Sequence, residues 1–505
     1  MRRPWISDRV DDAGRGRQAR DMRKGVIPLL LALAFAPRAA AAATYAVGPG
    51  RPHPDLQSVA PLLKPGDRVE LDGAATYRGD LILDAAGTKD AKITIVGKRI
   101  NGLRPILAGG VTTVEVRANH YVLEGLEIKG GSARCFFHHA DDVTLRDSVI
   151  HDCPSHGILG ADSDAGSLTL SYVEVYRCGR GDQSHSIYMA TDEEEYPRSV
   201  FRMEHCFIHD STGGNSVKSR AERNEIYSNW IEGALYHELE LIGPDGAERK
   251  RAREDSDVVG NVIRKAGRGY AIRVGGDGTG ETNGRYRFVN NTIVLARGAR
   301  AVFRLFDGLE CIQMHNNAIA HEGGGPVHVV IEEQVHWAAG RPVITGSNNW
   351  IPMGSSGVPP TWARTLAGRD PGFVSDVDLR PAAGSPLIGA GTAAPEQPPR
   401  FEFPAPLSAP RALPPLRTLE RVGTARSRLR GTIDIGAFSY GDPTPPKVDG
   451  APPRPSAPPP SKSRGEARGG CGCRSAGASE RSGAPSLAIA VVAAMRWRRA
   501  RRHRR

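Results

Sequence analysis

A four-residue phrase recurs down the middle of the chain and limits what the chain can fold into. It reads GLEI at 125–128, DSVI at 147–150, YVEV at 172–175, HCFI at 205–208 and SNWI at 228–231. It continues as GNVI at 260–263, NNTI at 290–293, NNAI at 316–319 and NNWI at 348–351. The closing apolar residues stand 22, 25, 33, 23, 32, 30, 26 and 32 positions apart. Short alternating runs such as VTLR (143–146) and LTLS (168–171) precede the copies. Alternation of period two marks a strand with one buried face. Short strands that return at such intervals, with variable insertions, describe a solenoid. No amphipathic helical period falls between them, which argues against a helical or leucine-rich solenoid. The expected fold class is all-β: a right-handed parallel β-helix forming a single domain.

Stacked coils lie about 4.8 Å apart, so equal positions become ladders of side chains. Asn229, Asn261, Asn291, Asn317 and Asn349 hold the second place of the phrase, and they read as a turn ladder in which each amide bonds to the next coil. A second stretch opens the other half of each coil: HGILGA (156–161), HSIYMA (185–190), NSVKSR (215–220), HELELI (237–242), YAIRVGG (270–276), AVFRLF (301–306) and PVHVVI (326–331). Ile158, Ile187, Val217, Leu239, Ile272, Phe303 and Val327 are taken as inward. Alternation then turns Leu159, Tyr188, Lys218, Glu240, Arg273, Arg304 and His328 outward as one row. Such a row suits a long anionic chain, although a solvated sheet of alternating charges would read alike. His151, His156, His185 and His209 fall on these coils as turn-capping, stacking or proton-donating groups. Cys153 and Cys178 follow the phrase at one offset on adjacent coils and are the disulfide candidates. Cys135, Cys206 and Cys311 are expected to be buried and free.

The net charge of +11 belongs to the ends. Residues 1–43 carry +5 and 462–505 carry +10, which leaves −4 for 44–461. A nucleic-acid binder should carry its basic excess on the folded part, so nucleic acid is excluded as a partner. From Met22, the basic Arg23 and Lys24, the apolar Val26–Ala36 and small residues up to Ala43 form an export signal too short to span a bilayer. Residues 1–21 fit no part of that signal, which leaves Met1 and Met22 both open as the start. A Pro/Ser/Arg-rich linker at 442–468 cannot bury a core. The expected organisation is an N-terminal extension and signal at 1–43, the β-helix at 44–441, the linker at 442–468 and an anchor tail at 469–505.

Three resemblances sharpen these expectations. TYAVGPG (44–50), GTKDAKITIVG (87–97), DPGF (370–373), PAAGSPLIGAG (381–391) and DIGAF (434–438) resemble the opening and closing segments of the pectate-lyase-like superfamily. GGCGCRSAG (469–477), a short apolar run and RWRRARRHRR resemble the myxobacterial C-terminal sorting tail. That resemblance implies surface attachment through Cys471 or Cys473. NSVKSRAERNEIYSNWIEGALYHELELIGPDG (215–246) resembles the central segment of the lyases that include chondroitinase B and alginate lyases. In that family the Lys matching Lys218 is the base that removes the C5 proton of a uronic acid, with Ca²⁺ and an Arg about one coil later handling charge. Here Glu240 stands where the Arg belongs, and Ser211, Thr212 and Gly213 stand where calcium acids belong. The residues themselves show no cofactor or metal site, and Ca²⁺ rests on the resemblance alone.

The reading is an exported, monomeric, envelope-attached protein acting on an acidic, uronate-containing polysaccharide, by lyase or epimerase chemistry. Its catalytic candidates are Lys218, Tyr188, Arg273 and His185, and its substrate-binding candidates are Glu240, Arg304 and His328. The alternative is a non-catalytic polysaccharide-binding or structural β-helix of the envelope. Glu240 beside Lys218 favours that alternative, because it makes the lysine an anchor for a carboxylate.

Overall fold

The structure, a computed structural model, describes residues 42–443 apart from 161–162, 244–253, 277–281, 283, 307, 334–342, 397–402, 404–405, 408, 411 and 418–432. The export signal before Ala42 and the anchor tail with Cys471 and Cys473 lie outside the described residues, as does the linker beyond Asp442 and Pro443. The described strands run from Thr44–Val47 to Leu366–Gly368 and pair in parallel into sheets of 23 and 10 strands. Among the described residues there is no α-helix, only a 3-10 turn at Ala60–Leu62. The chain forms the right-handed parallel β-helix that the repeat predicts. Each coil gives two arms to the larger sheet and one strand to the smaller.

The repeat phrase is the bend between the two arms. Its first residue has positive φ in all nine copies, from 43° at Asp147 to 75° at Gly125. L-residues enter that region at a cost that Gly, Asn and Asp pay least, which explains why those three open six of the nine copies. Tyr172 and His205 also take it, with their rings stacked 4.7 Å apart. The second residue closes the turn. Both the backbone N–H and Nδ2 of Asn229 reach Oδ1 of Asn261, at 2.8 and 3.0 Å. The pattern repeats from Asn261 to Asn291, from Asn291 to Asn317 and from Asn317 to Asn349. Each amide also donates to a carbonyl of an earlier coil, as Asn261 does to Ile226 (2.8 Å). Every polar group of these buried side chains is therefore used, as burial demands.

Inside, Ile158, Ile187, Val217, Leu239, Ile272 and Phe303 stack as register partners and are fully buried. The next partner is Val330, not the Val327 taken from the sequence. Outside, on the second arm, Phe207, Trp230, Val262, Val294 and Ala320 form an apolar stripe. Leu379, Leu413, Ala437 and Phe438 from the C-terminal segment lie on it, and Leu387 and Ile435 cover Ala318 and Trp350 beside it. The PAAGSPLIGAG and DIGAF motifs thus act as a strap over the coils.

Cys153 and Cys178 are register partners, as their offset requires, yet they are not bonded. Cys153 pairs instead with Cys135 across the interior, with Cα atoms 5.9 Å apart. Ladder partners hold their side chains parallel, about 4.8 Å apart, whereas a disulfide brings Cβ atoms to about 3.8 Å. A cysteine facing in from the other sheet meets that need. Cys206 and Cys311 are buried and free as expected, while Cys135, expected to be free, is bonded and Cys178 is free in its place.

Candidate functional site

The outer face of the ten-stranded sheet carries the row expected from alternation. Leu159, Tyr188, Lys218, Glu240, Arg273 and Arg304 are successive register partners on six strands. His328 does not continue it, because Arg304 pairs with Ile331. The turn before this last strand is longer than the sequence alignment assumed, and His328 lies two places before the inward Val330. There it binds Ser356 Oγ through Nδ1 (3.0 Å) and the Val330 carbonyl through Nε2 (2.9 Å).

Charge along the row is neutralised unevenly. Arg273 pairs with Oε1 of Glu240, donates to the Gly276 carbonyl (3.2 Å) and lies over the Phe306 ring. Arg304 forms a bidentate pair with Glu333, at 2.8 and 2.6 Å. Asn215 holds Oε2 of Glu240. Burial alone would raise the Glu240 carboxyl, but Arg273 and Lys218 together hold it down to about 2. Lys218 is bound more loosely. Its ammonium lies 4.0 Å from Glu240 Oε2 and 5.0 Å over the Tyr188 ring, with its side chain 16% exposed. No hydrogen bond ties it among the described residues.

A second row, not singled out in the sequence as a unit, runs beside the first. His156, His185, Asn215 and His237 each stand two places before an inward residue, where the chain enters the strand. Nδ1 of His156 accepts the His185 amide (3.2 Å), and Nδ1 of His185 accepts the Asn215 amide (3.0 Å). Oδ1 of Asn215 accepts the His237 amide (3.0 Å). These side chains extend the sheet's hydrogen bonding round the corner. They also fix the tautomer, since a ring nitrogen that accepts leaves Nε2–H as the donor. Burial, reinforced by Lys218, takes His185 down to about 3; burial, with Arg134 and Lys218, takes His156 to about 4. His185 is thus a neutral donor beside Tyr188, their ring centroids 5.6 Å apart. The common spacing from the inward residue was the signal for this row.

Arg220, at the end of the strand Val217–Arg220, is buried and donates through Nε to the Tyr188 hydroxyl oxygen at 3.0 Å. The guanidinium thus sets a charged donor on the Tyr188 oxygen. His151 and His209 lie on the other sheet, each between two carboxylates and stacked on the two faces of Tyr176. They are no part of this row. The calcium implied by resemblance does not fit the residues present. Ser211 Oγ meets the Ser186 and Ser216 hydroxyls, and Thr212 Oγ1 donates to the Gly179 carbonyl.

No protein-family model matches the chain, and no curated protein matches it. Among solved structures it is similar to pectate lyase Pel9A, at 13% identity and a TM-score of 0.48, over 79% of this chain and 96% of that one. It is also similar to an alginate lyase from Paenibacillus sp. str. FPU-7, at 14% identity and 0.35, over 65% and 99%. A rhamnogalacturonan lyase matches at 12% and 0.39, over 66% and 90%. The fold stands on the strand register described above, and the candidate site on its own residues.

Proposed function

We propose that the protein is exported, attached to the cell surface, and holds an acidic, uronate-containing polysaccharide along the outer face of the ten-stranded sheet. The observation that carries this is Lys218. Its half-buried ammonium stands mid-row between an aromatic ring and a carboxylate, with its donors open. The supporting pattern is electrostatic: the row carries three cations and one anion, on a region, 44–461, whose net charge is −4. A local cationic strip on an acidic body recruits an anion by position rather than by bulk charge. The sequence from Met22 to Ala43 and the Cys-Gly-Cys tail support export and attachment.

A second reading, β-elimination, is favoured by the contact between Tyr188 and Arg220. In that reaction a base takes the C5 proton of a uronate, the C4–O bond breaks and a C4=C5 double bond forms. The leaving oxygen then takes a proton. Lys218 would neutralise the carboxylate that makes the C5 proton acidic, Tyr188 would move the proton, and His185 would donate toward the leaving oxygen.

Purified protein should be mixed with alginate, polygalacturonate and chondroitin sulfate, with binding measured directly and product followed by its ultraviolet absorbance. At least one polymer should bind, and Lys218→Ala should weaken it about tenfold or more, as loss of a charge-assisted hydrogen bond does. Absence of binding to every acidic polymer would overturn the proposal. Absorbance growth that Tyr188→Phe abolishes would establish elimination.

A further inference from the structure

The row does not begin at Leu159. On the preceding coils its register partners are Phe137, then Glu115, then Ile82. Phe137, Leu159 and Tyr188 are each half-buried, and they follow one another on three coils immediately before Lys218. The Arg134 guanidinium lies 4.0 Å from the Phe137 ring centroid, and the His139 ring meets it edge-on at 3.8 Å. The ring is thus held between residues from both ends of its strand and remains half-buried.

We propose that Phe137, Leu159 and Tyr188 form a subsite for an uncharged sugar unit of the bound polysaccharide, one that presents a C–H face or an acyl or ester methyl group. The inference rests on the reading of the groove as a polysaccharide site. Neither Phe137 nor Leu159 has a donor for a carboxylate, and the guanidinium beside them, that of Arg134, lies against the Phe137 ring. Glu115, one coil further, is held by Arg117 at 2.7 and 3.0 Å, so the row beyond Phe137 offers an acidic unit a paired carboxylate and no free cation. The three coils span about 10 Å at the usual strand spacing, roughly a disaccharide, and run directly into the cationic stretch. The occupant of the whole groove is therefore a polymer that mixes charged and uncharged units, with the charged ones over Lys218 to Arg304. Half-buried apolar side chains on a soluble face gain from being covered, and a sugar's C–H face covers them without desolvating a charge.

The test compares alginate with its partly O-acetylated form, and polygalacturonate with its partly methyl-esterified form, on the full chain. The modified polymer of at least one pair should bind about fourfold tighter, the effect of covering one extra methyl group. Leu159→Gln, with the fold checked by circular dichroism, should erase that preference, so that the modified and unmodified polymers of the pair bind alike. Lys218→Ala should weaken both polymers of the pair together. Equal affinity for modified and unmodified polymers would overturn the inference while leaving the polysaccharide reading standing, as would a Leu159→Gln loss shared by both. Failure to bind any polymer, modified or not, would remove the inference and the polysaccharide reading together.

Discussion

Lys218 and Glu240 are register partners on adjacent coils, with Nζ 4.0 Å from Oε2, while Arg273 on the next coil takes Oε1 of the same carboxylate. One buried anion thus serves two cations of the row. Glu240→Gln should release both toward a ligand and tighten binding of an acidic polysaccharide. Removing one partner of a buried ion pair should also cost about 3–5 kcal/mol of stability. Urea unfolding and binding measured on the same variant check the two effects separately. Weaker binding by a folded Gln variant would mean that Glu240 itself contacts the ligand.

The disulfide joins Cys135 to Cys153, eighteen positions apart. Peptide mapping without reductant should recover that pair and leave Cys178 alkylatable after unfolding. Replacing both bonded cysteines by Ala should cost about 3 kcal/mol, the loop-closure value for a ring of this length. Recovery of a Cys153–Cys178 peptide would contradict the structure.

Asn261 sits inside the amide ladder, where its Oδ1 accepts two donors from Asn229 and its Nδ2 reaches Asn291 and Ile226. Asn261→Ala strands the Asn229 donors in the buried interior. Chemical denaturation should show a loss of roughly 2–4 kcal/mol, hydrogen bonds and unsatisfied donors together. A loss below half a kcal/mol, from roughly the same principle, would mean that the ladder follows the fold rather than supports it.

Seven histidines lie below their ordinary 6.5, burial being the largest cause in each: His138, His156, His237 and His315 at about 4, His185 at about 3, and His139 and His205, which are also lowered. A depressed histidine stays neutral in the fold and takes a proton on unfolding. Its contribution is therefore complete above pH 6.5 and lost as pH falls from there toward the folded values. His209, where burial is outweighed by Asp210 and Glu174 and the value is raised, works the other way, as one group against seven. Thermal midpoints should drop steadily as pH falls from neutral toward about 4. A flat profile across that window would show that these rings are already solvated.

The coil repeat and the row from Leu159 to Arg304 were legible because period-two alternation and a stacked apolar core leave one arrangement open. At PVHVVI that advantage fails: Val327, Val329 and Val330 are all apolar, the turn before them varies in length, and His328 was placed on the wrong row. The Cys135–Cys153 bond crosses between sheets, so no offset within the repeat reports it. The contacts from Asn215 to Glu240 and from Arg220 to Tyr188 depend on side-chain reach at a strand end. Residue order fixes which strand those groups stand on, but not which atom they meet.

The C-terminal strap has a consequence for the order in which the molecule is completed. Nδ1 of His205 donates to the Leu413 carbonyl, 208 positions further along the chain. A coil finished early in synthesis therefore keeps part of its outer surface bare until nearly the whole folded region has emerged. During that interval Phe207 and Trp230 are open to neighbouring chains, and the export proposed above would carry every molecule through it. Closing the strap is what converts a sticky stack of coils into a finished, self-contained particle.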